Sequence, residues 1–267
     1  MAMIDSAFRK ALLQRRVTIG TWLQINNATA AEVLANAGYE WIVIDIEHTD
    51  IDITSLTDLL RGMYGRGAAP IARVASNDVL EIRRALDMGA EGVLVPFVST
   101  PDQARQAVAA AKYPPLGVRG FSFCRANNWG VDFAENARSA NDETSVVVMI
   151  ESKEGVENID AIAAVAGVDG VFIGPYDLSG SYGIPGQTQD PVVRNACRRV
   201  IEACVRAEKS VGLLVVMPTP EAVAQAINDG FTLVCLGIDT VFLDQGARAT
   251  RALALSALEK MENARDR

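Results

Sequence analysis

The chain has 267 residues, is 49% hydrophobic and 22% charged, and carries a formal net charge of −8. That length allows one large domain or two small ones, and the composition is that of a globular protein, not a disordered or fibrous one. An acidic surface disfavours nucleic acid and anionic membranes as partners, and no apolar run is long enough to span a bilayer. The four cysteines, Cys124, Cys197, Cys204 and Cys235, form no CxxC pair, and His48 is the one histidine. That spacing offers no zinc site and reads as free thiols in a reducing cytoplasm.

In chain order, MAMIDSAFRKALLQRR lacks the apolar centre of a signal peptide and reads as a short helix. Eight apolar runs follow: VTIGTWLQI (17–25), WIVIDIE (41–47), PIARV (70–74), GVLVPFV (92–98), SVVVMIE (145–151), GVFIG (170–174), VGLLVV (211–216) and TLVCLG (232–237). Between most of them lie segments of helical period, such as TAAEVLANAG, DVLEIRRALDMG and PEAVAQAINDG, whose closing Gly38, Gly89 and Gly230 suit helix C-termini. Strands that are apolar throughout point to a parallel sheet covered on its outer face. Eight such units in one domain, residues 1–267, predict a (β/α)8 TIM barrel. A doubly wound open sheet is the other candidate, weakened because no glycine-rich phosphate fingerprint follows any strand. Residues 112–144 and 175–190 are too long for plain connections, and long loops in compact domains usually carry function.

Barrel chemistry gathers where the strands end. There the second strand offers Asp45, Glu47 and His48, the third Arg73, the fifth Glu151, and the sixth runs into Gly174-Pro175-Tyr176-Asp177. A single charge at a strand end often does no more than solvate a loop. Arg73 is harder to explain that way, because it interrupts a run expected to be buried and so needs an anionic partner. Glu151 and Asp177 would repel unless a cation lay between them, and oxygen-only ligation selects a hard divalent ion such as Mg2+ or Mn2+. The plainer alternative is that one of the two pairs with Arg73. Backbone N–H groups of Tyr176 and Asp177 are placed to receive a carboxylate.

The motifs GTWLQ (20–24), IDIEH (44–48), LVPFV (94–98), YPPLGVRG (113–120), IES (150–152) and GVDGVFIGPYDLSGSYG (167–183), in this order, closely resemble the HpcH/HpaI aldolase family, the metal-dependent pyruvate aldolases. The resemblance implies a TIM barrel of the pyruvate type, assembled as a hexamer (a trimer of dimers) that exchanges its last helix between neighbours. It implies that Glu151 and Asp177 hold a divalent metal (Mg2+, Mn2+ or Co2+). It also implies that Arg73 contacts the pyruvate oxygen, that His48 is the acid/base group with Asp87 as its carboxylate partner, and that Asp45 lies near metal-bound water. Trp22, Gly174 and Tyr176 fall to substrate binding. Asp87 closes the helix after the third strand, so it belongs at the opposite face from His48, and a pairing between them calls for a neighbouring chain. Met149 stands where relatives often have Gln, and Tyr176 where several have a small residue.

The reaction so implied is reversible cleavage of a 4-hydroxy-2-oxo acid to pyruvate and an aldehyde through a metal-stabilised pyruvate enolate. His48 suits proton transfer at neutral pH. Three alternatives stand beside it. A Schiff-base aldolase needs a lysine in the barrel, and of Lys10, Lys112, Lys153, Lys209 and Lys260 only Lys153 falls near the right face. Oxaloacetate decarboxylation or CoA-ester lysis would use the same barrel. A non-catalytic metabolite-binding barrel would not need His48.

Overall fold

The structure is a computed structural model that describes residues 7–265. Eight parallel strands close into a barrel in sequence order: β1 (Thr18–Leu23), β2 (Trp41–Asp45), β3 (Ala69–Arg73), β4 (Gly92–Val95), β5 (Ser145–Ile150), β6 (Gly170–Ile173), β7 (Ser210–Val215) and β8 (Leu233–Ile238), with β8 pairing back onto β1. The expected (β/α)8 barrel is therefore present, and the open sheet is excluded. The helices are α1 (Ala7–Leu13), α2 (Ala28–Asn36), α3 (Ile53–Met63), α4 (Val79–Asp87), α5 (Pro101–Ala111), α6 (Phe133–Glu143), α7 (Lys153–Glu157), α8 (Ile159–Ala163), α9 (Pro175–Ser181), α10 (Pro191–Arg206), α11 (Pro220–Asp229) and α12 (Asp239–Arg265). The N-terminal helix begins at Ala7; the first six residues assigned to it from the sequence lie outside the described residues.

The strands are apolar throughout because they serve two cores. Ile42, Ile44, Val146, Val148 and Ile150 face the helices, while Trp41, Val43, Val147, Met149 and Phe172 fill the barrel interior. Successive strand side chains point to opposite faces, so both residue sets must be apolar. Phe8 and Leu12 of α1 close the interior at its N-terminal end. Side chains of Asn27, Asp52, Asp78, Thr100, Ser152, Asp190 and Thr219 accept first-turn N–H groups and start the helices that follow. Gly38, Gly89 and Gly230 all take positive φ at helix ends, as their positions predict. The two long connections contain α6, a 3-10 turn at Arg125–Gly130, and α9.

Several strands stop short of the apolar runs. β2 ends at Asp45, whose side chain accepts the backbone N–H groups of Glu47 and His48 and turns the chain there. β4 ends at Val95, and Phe97 adopts a left-handed φ of 51°. Glu47, His48 and Phe97 therefore stand on loops at the mouth instead of continuing a strand.

Candidate active site at the C-terminal mouth

Asp45 is the pivot of the mouth. It is 0% exposed, and six donors converge on its carboxylate. Arg73, its register partner on β3, donates Nε to Oδ1 at 3.0 Å and Nη2 to Oδ2 at 2.6 Å. Oδ2 also accepts Trp22 Nε1 at 3.1 Å and Gln24 Nε2 at 3.1 Å, and Oδ1 the two main-chain N–H groups at 3.2 Å. Burial alone would raise the Asp45 pKa, but hydrogen bonds and charge from Arg73, with Trp22 and Gln24, hold it below the usual carboxylate value. The buried arginine thus has the anionic partner its position demands, and that partner is neither Glu151 nor Asp177. The Arg73 guanidinium lies 4.8 Å from the centroid of the Trp22 ring, a cation–π contact. Arg73 is fixed from below by an aromatic face and from the side by a carboxylate.

Glu47 comes next. Its Oε2 lies 3.1 Å from Arg73 Nη1 and 3.7 Å from His48 Nε2, yet it is buried without an aligned hydrogen bond. Burial raises its pKa, against Arg73 and His48, and the charges of Asp45 and Asp177 push the same way. Glu151 is 3% exposed just beyond β5. Burial lifts its pKa to about 7; the Phe97 N–H, 2.8 Å from Oε2, opposes the rise, and the Asp177 and Glu47 carboxylates add to it. Gly174 must be glycine: a Cβ there would stand 2.8 Å from the Glu151 Cγ and 2.9 Å from Oε1. Asp177 lies in the exposed first turn of α9, which no side chain caps.

The mouth therefore gathers Asp45, Glu47, Glu151 and Asp177 around one guanidinium. Among the described residues, no three His, Cys, Asp or Glu side chains converge in metal-holding geometry. Glu151 and Asp177 come as a pair of oxygen donors, which leaves the rest of a hard cation's shell to water and substrate oxygens. The residues fit such an ion on two counts. Burial, with the charges of Asp177 and Glu47, holds the Glu151 carboxyl up at about 7, and Glu47 keeps a buried oxygen without a hydrogen bond.

The remaining predicted residues divide. His48 stands at the rim with its side chain 58% exposed. Tyr176 is 69% exposed beside the mouth. Trp22, expected to bind substrate, is 3% exposed beneath Arg73, so it meets a substrate only through that arginine. Asp87 ends α4 at the opposite face of its own chain, where Arg119 Nη2 and Nε contact its Oδ1 at 2.9 and 3.2 Å. Lys153 is exposed on α7, 3.8 Å from Glu157. A cavity of about 670 Å3 lies at the N-terminal end, between Arg119, Arg125 and Glu91, remote from this chemistry. Gln24 and the Phe97 N–H were missed from the sequence. Gln24 sits inside GTWLQ and was legible there in principle, whereas a main-chain donor on a left-handed residue leaves no trace in residue types.

Comparison with known proteins gives the family and the fold of relatives. The family model described as HpcH/HpaI aldolase/citrate lyase matches residues 18–245. The 4-hydroxy-2-oxo-heptane-1,7-dioate aldolase of Salmonella typhimurium is 39% identical over 252 residues, covering 93% of this chain and 94% of that protein. A HpcH/HpaI aldolase/citrate lyase family protein from Burkholderia cenocepacia superposes with a TM-score of 0.88 at 33% identity, covering 94% of this chain and 99% of that one. The citrate synthase SbnG superposes with a TM-score of 0.84 at 30% identity, over 94% and 98% of the two chains.

Proposed function

The chain belongs to the HpcH/HpaI aldolase/citrate lyase family and is a carbon–carbon lyase; from that premise we propose that it cleaves a 4-hydroxy-2-oxo acid, reversibly, to pyruvate and an aldehyde. The observation that carries this reading is Arg73, gripped at two points by Asp45 and aimed into a mouth with more carboxylates than cations. Its guanidinium faces the C2 oxygen of the substrate and stabilises the negative charge that develops there as the bond breaks. The uncapped first turn of α9, with Gly174 and Tyr176, receives the substrate carboxylate. Glu151 and Asp177 would hold a divalent ion (Mg2+, Mn2+ or Co2+), which when bound supplies Lewis-acid polarisation of the 2-oxo group. His48 takes the proton from the 4-hydroxyl on cleavage and returns it in the reverse reaction.

Asp87 orients His48 across a subunit boundary. Both contacts of Arg119 fall on its Oδ1, which leaves Oδ2 for the imidazole of a neighbouring copy. The working enzyme is then a homo-oligomer, with a hexamer as the assembly, in a reducing cytoplasm that keeps the four thiols free. The test is a panel of 4-hydroxy-2-oxo acids assayed for pyruvate release with each metal added in turn. Release that needs a divalent ion and stops with EDTA supports the proposal; release that survives exhaustive EDTA, or a stable borohydride adduct at Lys153, overturns it. The likeness to a citrate synthase favours a second reading, other pyruvate or oxaloacetate enolate chemistry on the same barrel, as a decarboxylase or a CoA-ester lyase, which turnover of oxaloacetate or of a CoA ester without any aldol cleavage would support.

A further inference from the structure

Asp239 is a buried carboxylate, 6% exposed, that the reaction above leaves without a task. It opens α12, and an aspartate there would ordinarily cap its own helix. One of its bonds is local, from the Thr240 N–H of the next residue to Oδ1 at 2.8 Å. The other two reach across to the loop after β1: Oδ1 accepts the Gln24 N–H at 2.9 Å, and Oδ2 the Ile25 N–H at 2.9 Å. The same residue, Gln24, then sends its side-chain amide to Asp45 Oδ2, while its Oε1 lies 3.4 Å from the Thr240 hydroxyl. That amide faces only one way, because turning it would set its oxygen against a buried carboxylate. The root of the last helix is thus wired, through one glutamine, to the carboxylate that aims Arg73.

Resting on Arg73 as the group that meets the substrate oxygen, we infer that Asp239 and Gln24 are positioning residues, which set the angle of the guanidinium through Asp45. From Leu243 onward the described side chains of α12 are exposed, Leu253, Leu258 and Met261 among them.

The test uses the full-length chain with Gln24→Leu, Asp239→Asn and the double variant. Leucine keeps the bulk and removes the donor; asparagine keeps the shape and sets an NH2 against a main-chain N–H. Each single change lowers kcat for pyruvate release about tenfold with KM within about twofold, the loss of one well-placed hydrogen bond. The double variant falls no further than the worse single, because both act on one connection. Labelling of Arg73 by phenylglyoxal, read at the peptide by mass spectrometry, speeds up severalfold in the same variants. A lower Tm with kcat and Arg73 labelling unchanged, or multiplicative losses in the double variant, would overturn the inference. Labelling needs no turnover. A wild-type chain that releases no pyruvate, with labelling still coupled to Gln24 and Asp239, sinks the proposed reaction and leaves the positioning role standing.

Discussion

At the N-terminal end of the barrel, Asp169 takes two hydrogen bonds from Arg9, at 3.1 and 2.9 Å, and a third from the Val146 N–H at 3.0 Å. Lys112, buried nearby, donates to the carbonyls of Asn141 and Thr144 at 2.7 and 2.6 Å, and Arg119 grips Asp87. Asp169, Lys112 and Asp87 each have partners of their own. At the C-terminal mouth, one guanidinium serves Asp45 and Glu47, Glu151 is left to a single main-chain donor, and an oxygen of Glu47 has no aligned donor. A buried charge that is individually matched holds a fold together; a set left short of positive charge waits for a ligand. Burial lowers the Lys112 pKa to about 8, a shift that elsewhere marks a nucleophilic lysine. Its two carbonyl partners and its place at the wrong end assign it to structure instead.

The contrast is broken most severely at the mouth. His48→Ala should lower kcat for pyruvate release about 10³–10⁴-fold. Calorimetry should still show pyruvate and metal bound, because the imidazole stands at the rim, 58% exposed and 3.7 Å from Glu47. Arg73→Lys comes next: charge is kept, the two-point grip on Asp45 is lost, and kcat should fall about 10²–10³-fold. At the other end Arg9→Ala should behave in the opposite way. Loss of the partner of Asp169 should cost about 3 kcal/mol in denaturant unfolding, with kcat per folded molecule unchanged. Were activity to fall as steeply as stability, the division between the two ends would be wrong.

The smallest effect separates the ends by pH. Burial, with the Glu143 charge, lifts the Glu91 pKa to about 7, so the folded chain holds that proton more tightly than the unfolded one. Unfolding then releases a proton between the ordinary glutamate value of 4.5 and about 7, and this group's contribution to stability falls as pH rises through that window. Glu91→Gln should remove this decline, seen in Tm against pH, and leave the pH dependence of kcat untouched.

Much of this was legible from residues alone, and the gaps have definite causes. Strand runs that are apolar throughout, alternating with helical patterns of period 3.6, carry the barrel, because both faces of every strand must be covered. Arg73 announced itself as a cation in a buried run, and the acids at strand ends marked the mouth. What the sequence could not assign was the partner of Arg73. Asp45 and Glu151 are both acids beyond apolar runs, and only strand register brings Asp45 opposite the arginine. Trp22 looked like a substrate contact because it shares the motif, yet β1 buries its ring under Arg73. Asp239 left no signal at all, since its partners are main-chain N–H groups 214 and 215 residues away.

Phe97 extends these observations into a matter of engineering. It holds a left-handed φ of 51°, where an L-residue gives up about 1–2 kcal/mol that glycine would not, and its ring is 51% exposed. The conformation aims its N–H at Glu151, a task glycine would perform equally well. Directed evolution for heat resistance therefore has a simple step open at this position, Phe97→Gly. The step would also strip an exposed aromatic side chain from beside the Glu151 carboxylate. A library built around position 97 would sample thermal robustness and, under the proposed aldol reaction, choice of aldehyde together.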